Sequence, residues 1–153
     1  SITEKKHPDA RFIIVGDGDE KTQLNQLVEK KRLQNKVLFL GYRDDIQNIM
    51  SQLDFVVLSS LWEGLPLTPI EAYSVGKPVI GTAVDGTTEI IRNGIDGYLI
   101  EPRNSVQLAG KMNDLIESPQ KRRRMGIEAQ KRYQDEFSFD RLSHRYIEFY
   151  EGL

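Results

Sequence analysis

Short, uninterrupted runs of apolar residues recur along the chain, and more polar segments with helical spacing separate them. Continuous apolar runs are typical of strands buried on both faces of a parallel sheet, whereas half-exposed strands alternate. Strands and helices in alternation predict an α/β fold with a Rossmann-like, doubly wound parallel sheet. The predicted strands cover residues 11–15, 37–40, 54–58, 79–82 and 97–100.

Helices are predicted between the strands from apolar spacing and from stop signals such as Gly76 and Asn93-Gly94. The chain is predicted to be helical from Ser105 to its end, with breaks near Ser118-Pro119 and Phe137-Ser138. Residues 1–8 have the pattern of a helix end stopped by proline, so the chain is expected to start within a fold. The helices between strands are predicted at residues 20–32, 44–50, 69–75 and 87–91.

Composition narrows the class of protein without identifying it. The 153 residues carry a net charge of -2, with 39% hydrophobic and 29% charged residues. These values are typical of one soluble globular domain and give no electrostatic case for nucleic-acid binding. The absence of cysteine rules out disulfides and thiolate zinc sites and fits a reducing compartment. No apolar run approaches the ~20 residues of a membrane span, and no pattern typical of a signal peptide is seen. Together with the absence of cysteine, this favours the expectation of a cytoplasmic location.

The loop before the helix at 69–75 carries the most informative chemistry. Thr68-Pro69-Ile70-Glu71 has the form of a capping box, with Thr68 as N-cap, proline first in the helix and Glu71 third. A helix start that follows a strand is the usual phosphate site of an open α/β sheet. The amides of residues 67, 68, 70 and 71 are the candidate donors. By itself, the pattern indicates only that a helix begins.

Glu63, in the same loop, indicates a second kind of ligand group. A carboxylate there has no evident folding role and would repel a bare phosphate, but it accepts hydrogen bonds from neighbouring hydroxyls well. Phosphate and hydroxyl groups together point to a phosphorylated sugar. The adjacent Trp62 is open to two interpretations, stacking on a sugar or, as the favoured one, closing the end of the core.

These residues and the motifs around them resemble the family 4, or group 1, retaining glycosyltransferases. The Glu-x7-Glu spacing of Glu63 and Glu71 is the most specific part of the resemblance, which covers about residues 8–150. The other matching segments are residues 15–18, 37–41, 54–60, 76–80 and 89–91, with Gly94, Gly97 and Pro102.

The resemblance implies the GT-B architecture, in which two Rossmann-like domains face a cleft and the C-terminal one holds the donor. All 153 residues would belong to that C-terminal domain, which would bind a nucleotide-diphosphate sugar, most readily a UDP-sugar, without metal or other cofactor. By this resemblance Glu63, beside Gly64, would orient the transferred sugar as the catalytic residue. Glu71 would accept hydrogen bonds from the ribose, and the amides of Leu67 and Thr68 would meet the diphosphate.

The resemblance extends to the nucleobase and to the acceptor. Tyr42 or Arg43 would contact the base, while Gly16 and Gly18 line the same edge, where shaping the turn is favoured over touching the ligand. A sugar, lipid-linked or other acceptor would be bound by an N-terminal domain that this chain lacks. Peripheral membrane association of the full-length enzyme is compatible with the family.

The sequence also departs from the family pattern. The strand that usually begins this domain, with an Arg and a Lys that neutralise the diphosphate, is missing, so the isolated chain is expected to be inactive or nearly so. Asp85-Gly86 stands where the family has a glycine pair. A non-catalytic nucleotide-sugar-binding or subunit module on the same fold is the alternative, which the intact Glu63 and Glu71 disfavour. A flavodoxin-like signalling domain finds less support.

Overall fold

The computed structural model describes residues 2–152, which form two compact units that divide between Ile46 and Gln47. In the first unit, strands β1 and β2 are parallel, with Phe12 opposite Val37, as expected for strands joined by a crossover helix. The elements are α1 (Ile2–Lys6), β1 (Phe12–Val15), α2 (Lys21–Lys30) and β2 (Val37–Gly41).

The second unit holds a three-stranded parallel sheet in the order β3-β4-β5. All four residues of the central strand β4 are buried, which accounts for its lack of alternation in the sequence. Helices connect the strands. The elements are α3 (Ile46–Ser51), β3 (Val56–Leu58), α4 (Leu67–Ser74), β4 (Val79–Thr82), α5 (Asp85–Ile90) and β5 (Gly97–Ile100).

The chain after β5 is helical, as predicted. A new helix begins at each of the two predicted breaks. Ser118 and Ser138 cap these helices, because each side chain accepts a hydrogen bond from the amide three residues later. No helix within residues 2–152 is long and apolar enough to cross a membrane. The elements are α6 (Ser105–Glu117), α7 (Pro119–Arg132), a π-helical turn (Tyr133–Phe137) and α8 (Phe139–Glu151).

The core of the second unit joins its sheet to α6 and α7. Its buried cluster consists of Ile80, Tyr98, Ile100, Leu115 and Met125. The predicted α/β fold with a helical C-terminal segment is therefore confirmed, and all five predicted strands are present. Strand β3 starts two residues later than predicted, since the Asp54 side chain is 72% exposed and forms an ion pair with Arg122.

A buried carboxylate joins three parts of the second unit. Asp96, in the turn before β5, is fully buried. One carboxylate oxygen accepts hydrogen bonds from the Tyr73 hydroxyl at 2.5 Å and from the Arg92 amide at 2.8 Å. The other accepts from the Arg92 guanidinium and lies 3.8 Å from that of Arg132. Because Tyr73 lies on α4 and Arg132 on α7, Asp96 fixes the position of α4.

Tyr73→Phe is expected to reduce the loss of stability at alkaline pH. Burial and the hydrogen bond to Asp96 raise the pKa of the Tyr73 phenol far above its ordinary value of 10.0. The folded state therefore keeps this proton while the unfolded state releases it. The contribution is complete below pH ~10 and falls by up to ~1.4 kcal/mol per pH unit above it. Denaturant unfolding on both sides of that pH measures the difference, and an equal decline in both proteins would contradict it.

Candidate functional site

The candidate site lies in the loop between β3 and α4, at the carboxyl edge of the second unit's sheet. The apolar side chains of this loop are exposed, with 52% of Leu61, 82% of Trp62 and 61% of Leu65 accessible to solvent. The prediction that Trp62 closes the core is therefore wrong. Pro66 and Pro69 are the buried residues at this end of α4.

Glu63 is half-buried, and its carboxylate is held by one side chain of the same loop. The Ser60 hydroxyl donates a hydrogen bond to Glu63 Oε1 at 2.6 Å, a length typical of a hydroxyl bound to a charged carboxylate. Within residues 2–152, Oε2 has no hydrogen-bond partner. Glu63 therefore presents a fixed carboxylate with a free acceptor oxygen.

Helix α4 begins earlier than the predicted capping box. Its first residue is Leu67, and Pro66 (φ -71°, ψ 128°) is an N-cap that makes no side-chain hydrogen bond. Thr68 is thus the second helical residue and Glu71 the fifth, so the predicted capping box is wrong. Pro69 is accommodated in the first turn because amides there have no helical partner to lose.

The early start determines which amides of α4 are available. The first unpaired donor positions of a helix are the N-cap and the three residues after it. Here these are residues 66–69, and since two of them are prolines, the amides of Leu67 and Thr68 are the ones left to bind a ligand. The positive end of the helix dipole coincides with this pair. Of the four amides expected from the sequence, Ile70 and Glu71 lie beyond these positions.

Glu71 follows Leu67 by one helical turn, so the two residues share a face of α4. The Glu71 side chain is half-buried. Because it has no capping role at the fifth helical position, its carboxylate can accept hydrogen bonds from a ligand.

Helix α5 supports the loop through a glycine contact. Gly86 is buried, and a Cβ placed on it would lie 1.8 Å from the carbonyl oxygen of Gly64 and 3.0 Å from Leu65 Cα. Asp85, which precedes it, is exposed at the first position of α5. Of the glycine pair expected from the family, this chain keeps the second glycine, Gly86. Its lack of a side chain is what allows the backbone of the loop to lie against α5.

The other predicted site residues lie in the first unit. Tyr42 is 81% exposed. The Arg43 guanidinium makes two 2.7 Å hydrogen bonds to Asp45, which lower the pKa of that carboxyl. Gly16 has a φ of 125°, which favours glycine, whereas Gly18 donates its amide hydrogen to the neighbouring aspartate at 3.0 Å. Of the two candidates for contact with the base, Arg43 is thus already paired with Asp45, whereas Tyr42 is exposed to solvent.

Two contacts of the site were not predicted from the sequence. The Ser60 bond to Glu63 spans three positions, the same spacing as the Thr-x-x-Glu pattern that was interpreted as a capping box, so a signal for it existed. The packing of Gly86 on Gly64 joins a residue of α5 to one of the loop between β3 and α4 and leaves no local pattern.

Comparison with known proteins gives consistent matches. The family model described as "Glycosyl transferases group 1" matches residues 1–132. The N-acetyl-alpha-D-glucosaminyl L-malate synthase of Bacillus anthracis is 32% identical over 142 residues, which cover 93% of this chain and 37% of the synthase.

Solved structures match over nearly the whole chain. Anabaena Alr3699/HepE in complex with UDP is similar with a TM-score of 0.90 and 31% identity, over 95% of this chain and 42% of that protein. The structure of the same protein with UDP-glucose gives 0.87 and 29%, over 99% and 44%. The chain therefore spans less than half the length of these relatives.

Proposed function

This chain belongs to the group 1 glycosyltransferases, and from that premise we propose that it is the donor-binding domain of a retaining family 4 enzyme that uses a UDP-sugar. The observation that carries the proposal is one segment in which two free helix amides lie between two carboxylates, at residues 63 and 71. Anabaena HepE, with the same fold, has been solved with UDP and with UDP-glucose, which supports uridine as the base.

Each part of the segment suits one part of such a donor. The amides of Leu67 and Thr68, at the positive end of α4, suit the diphosphate. The free oxygen of Glu63 suits a hydroxyl of the transferred sugar. Glu71, one turn along α4, suits the ribose hydroxyls, and Tyr42 or Arg43 is assigned to the base.

In the proposed reaction, the bond from the sugar's anomeric carbon to the diphosphate oxygen breaks, and negative charge develops on the departing diphosphate. The amides of Leu67 and Thr68 stabilise this charge where it develops, since they are already oriented by α4. The acceptor's hydroxyl oxygen forms the new bond to the anomeric carbon on the face that the diphosphate leaves, and its proton passes to the departing diphosphate oxygen. Glu63 holds the sugar in the orientation that allows this attack, so the configuration is retained. The acceptor would be bound by a further domain of a longer protein.

Glu63→Gln and Glu71→Gln are expected to separate the two carboxylate roles. Glutamine keeps an acceptor oxygen but loses the charge, and a hydrogen bond to a neutral group is weaker than one to a charged group by about 1–1.5 kcal/mol, roughly tenfold in affinity. Glu63→Gln should weaken binding of UDP-glucose by that factor and leave UDP binding unchanged, whereas Glu71→Gln should weaken both ligands equally. Isothermal titration of each ligand into the purified chain measures the four affinities.

Glu148→Gln, an exposed substitution in α8, is the matched control and should change neither affinity. If the unaltered chain bound neither UDP nor UDP-glucose at millimolar concentration, donor recognition could not be assigned to it. Equal losses of both ligands in Glu63→Gln would contradict the sugar role of this residue.

A further inference from the structure

The loop that carries Glu63 has little packing to fix it. Leu61, Trp62 and Leu65 are each more than half exposed, so the apolar side chains between residues 61 and 65 contribute little to the core. Its backbone is supported at Gly64 by the contact with Gly86. That contact limits where the loop can lie, but it does not orient the side chain of Glu63.

The Ser60 hydroxyl is the group that orients this side chain. It donates to Glu63 Oε1 at 2.6 Å, and within residues 2–152 it is the one side chain bonded to that carboxylate. Ser60 is half-buried and lies two residues after β3 ends at Leu58, so its own position is tied to the sheet. The hydrogen bond therefore links the Glu63 carboxylate, on an otherwise exposed loop, to a residue that lies close to the end of β3.

We propose that Ser60 is a positioning residue for donor-sugar recognition, which acts by fixing the Glu63 carboxylate with Oε2 directed to ligand. This inference rests on the proposed function, since it takes Glu63 to be the sugar contact. The bond occupies one oxygen, so Glu63 receives the sugar hydroxyl mainly through the other. Without Ser60 the carboxylate can rotate among several rotamers, and binding must then restrict them.

Ser60 should therefore affect the sugar part of the donor and not its nucleotide. The groups assigned to the diphosphate and ribose are Leu67, Thr68 and Glu71, which are positioned by α4 and not by Ser60. A residue that merely supported the fold would instead weaken UDP and UDP-glucose together. The ratio of the two affinities distinguishes these roles.

The test compares Ser60→Ala with Ser60→Thr, which keeps a hydroxyl, and with Ser59→Ala at the exposed neighbouring serine. Titration with UDP and with UDP-glucose is expected to show that Ser60→Ala loses up to about tenfold in affinity for UDP-glucose alone, the cost of immobilising one side chain. Ser60→Thr should recover most of this loss, and Ser59→Ala should bind both ligands as the unaltered chain does. Circular dichroism confirms that each variant is folded.

A double-mutant cycle with Glu63→Ala tests whether Ser60 acts through Glu63. If it does, adding Ser60→Ala to Glu63→Ala causes no further loss of UDP-glucose affinity. An undiminished loss in that background, or normal UDP-glucose binding by Ser60→Ala when Glu63→Ala is impaired, would overturn the inference and leave the proposed function intact. If Glu63→Ala itself bound UDP-glucose normally, the sugar role of Glu63 would fail, and the role of Ser60 with it.

Discussion

Asp96→Ala is expected to lower the free energy of unfolding by about 3–5 kcal/mol, the cost of breaking a buried ionic network by removing one partner. Asp96 is fully buried and accepts hydrogen bonds from Tyr73 and Arg92. The substitution would leave the buried Tyr73 hydroxyl without its acceptor and the Arg132 guanidinium, whose side chain is 10% exposed, without this ion-pair partner. Urea unfolding followed by circular dichroism measures the change through the transition midpoint.

Asp54→Ala is the matched control for this experiment. Asp54 also pairs with an arginine, Arg122, at 3.1 Å, but its side chain is 72% exposed. Its loss is expected to cost less than about 1 kcal/mol, because solvent screens an exposed pair. A cost of Asp96→Ala no larger than that of Asp54→Ala would show that the network contributes little. The proposed donor site is affected as well, since Tyr73 is part of α4.

The elements of the fold could be predicted because their signals are local. Continuous apolar runs gave all five strands, with ends that differ from the structure by at most two residues. The predicted start of α4 is wrong because the residues around it fit two interpretations. Pro66 and Pro69 both suit the beginning of a helix, and Thr68 with Glu71 imitates a capping box. The fixed φ of Pro66, rather than a side-chain cap, marks the actual start.

The contacts of Asp96 and Gly86 that support the site could not be predicted, because they join residues that are distant in the sequence. Asp96 and Tyr73 are 23 positions apart, and Asp96 follows an Asn-Gly pair that is typical of an ordinary turn. Trp62 shows the opposite error, since its large apolar side chain favoured the core, whereas 82% of it is exposed. In both cases burial depends on tertiary structure, which a single sequence does not reveal.

Gly86→Ala is expected to destabilise the second unit by about 1–3 kcal/mol or more, the usual cost of overpacking, and to weaken UDP-glucose binding by at least tenfold. The added Cβ would lie 1.8 Å from the Gly64 oxygen and 2.7 Å from its carbonyl carbon. Because these are backbone atoms, no side-chain rotation can relieve the clash, and the loop itself must shift. Glu63 immediately precedes Gly64, so the shift would displace the carboxylate from the position in which we propose that it binds the sugar. Urea unfolding and titration with UDP-glucose measure the two effects.

Gly110→Ala separates this steric effect from the ordinary consequence of replacing a helical glycine. Gly110 lies within α6, and a Cβ on it would meet nothing within 4 Å. Alanine there is expected to stabilise the protein by up to about 1 kcal/mol, because glycine is the poorer helix former, and to leave binding unchanged. If Gly86→Ala lowers the free energy of unfolding and Gly110→Ala raises it, the difference is explained by the contact of Gly86 with the loop. If Gly86→Ala were as stable as the unaltered chain and bound UDP-glucose equally well, that contact could not determine the position of Glu63.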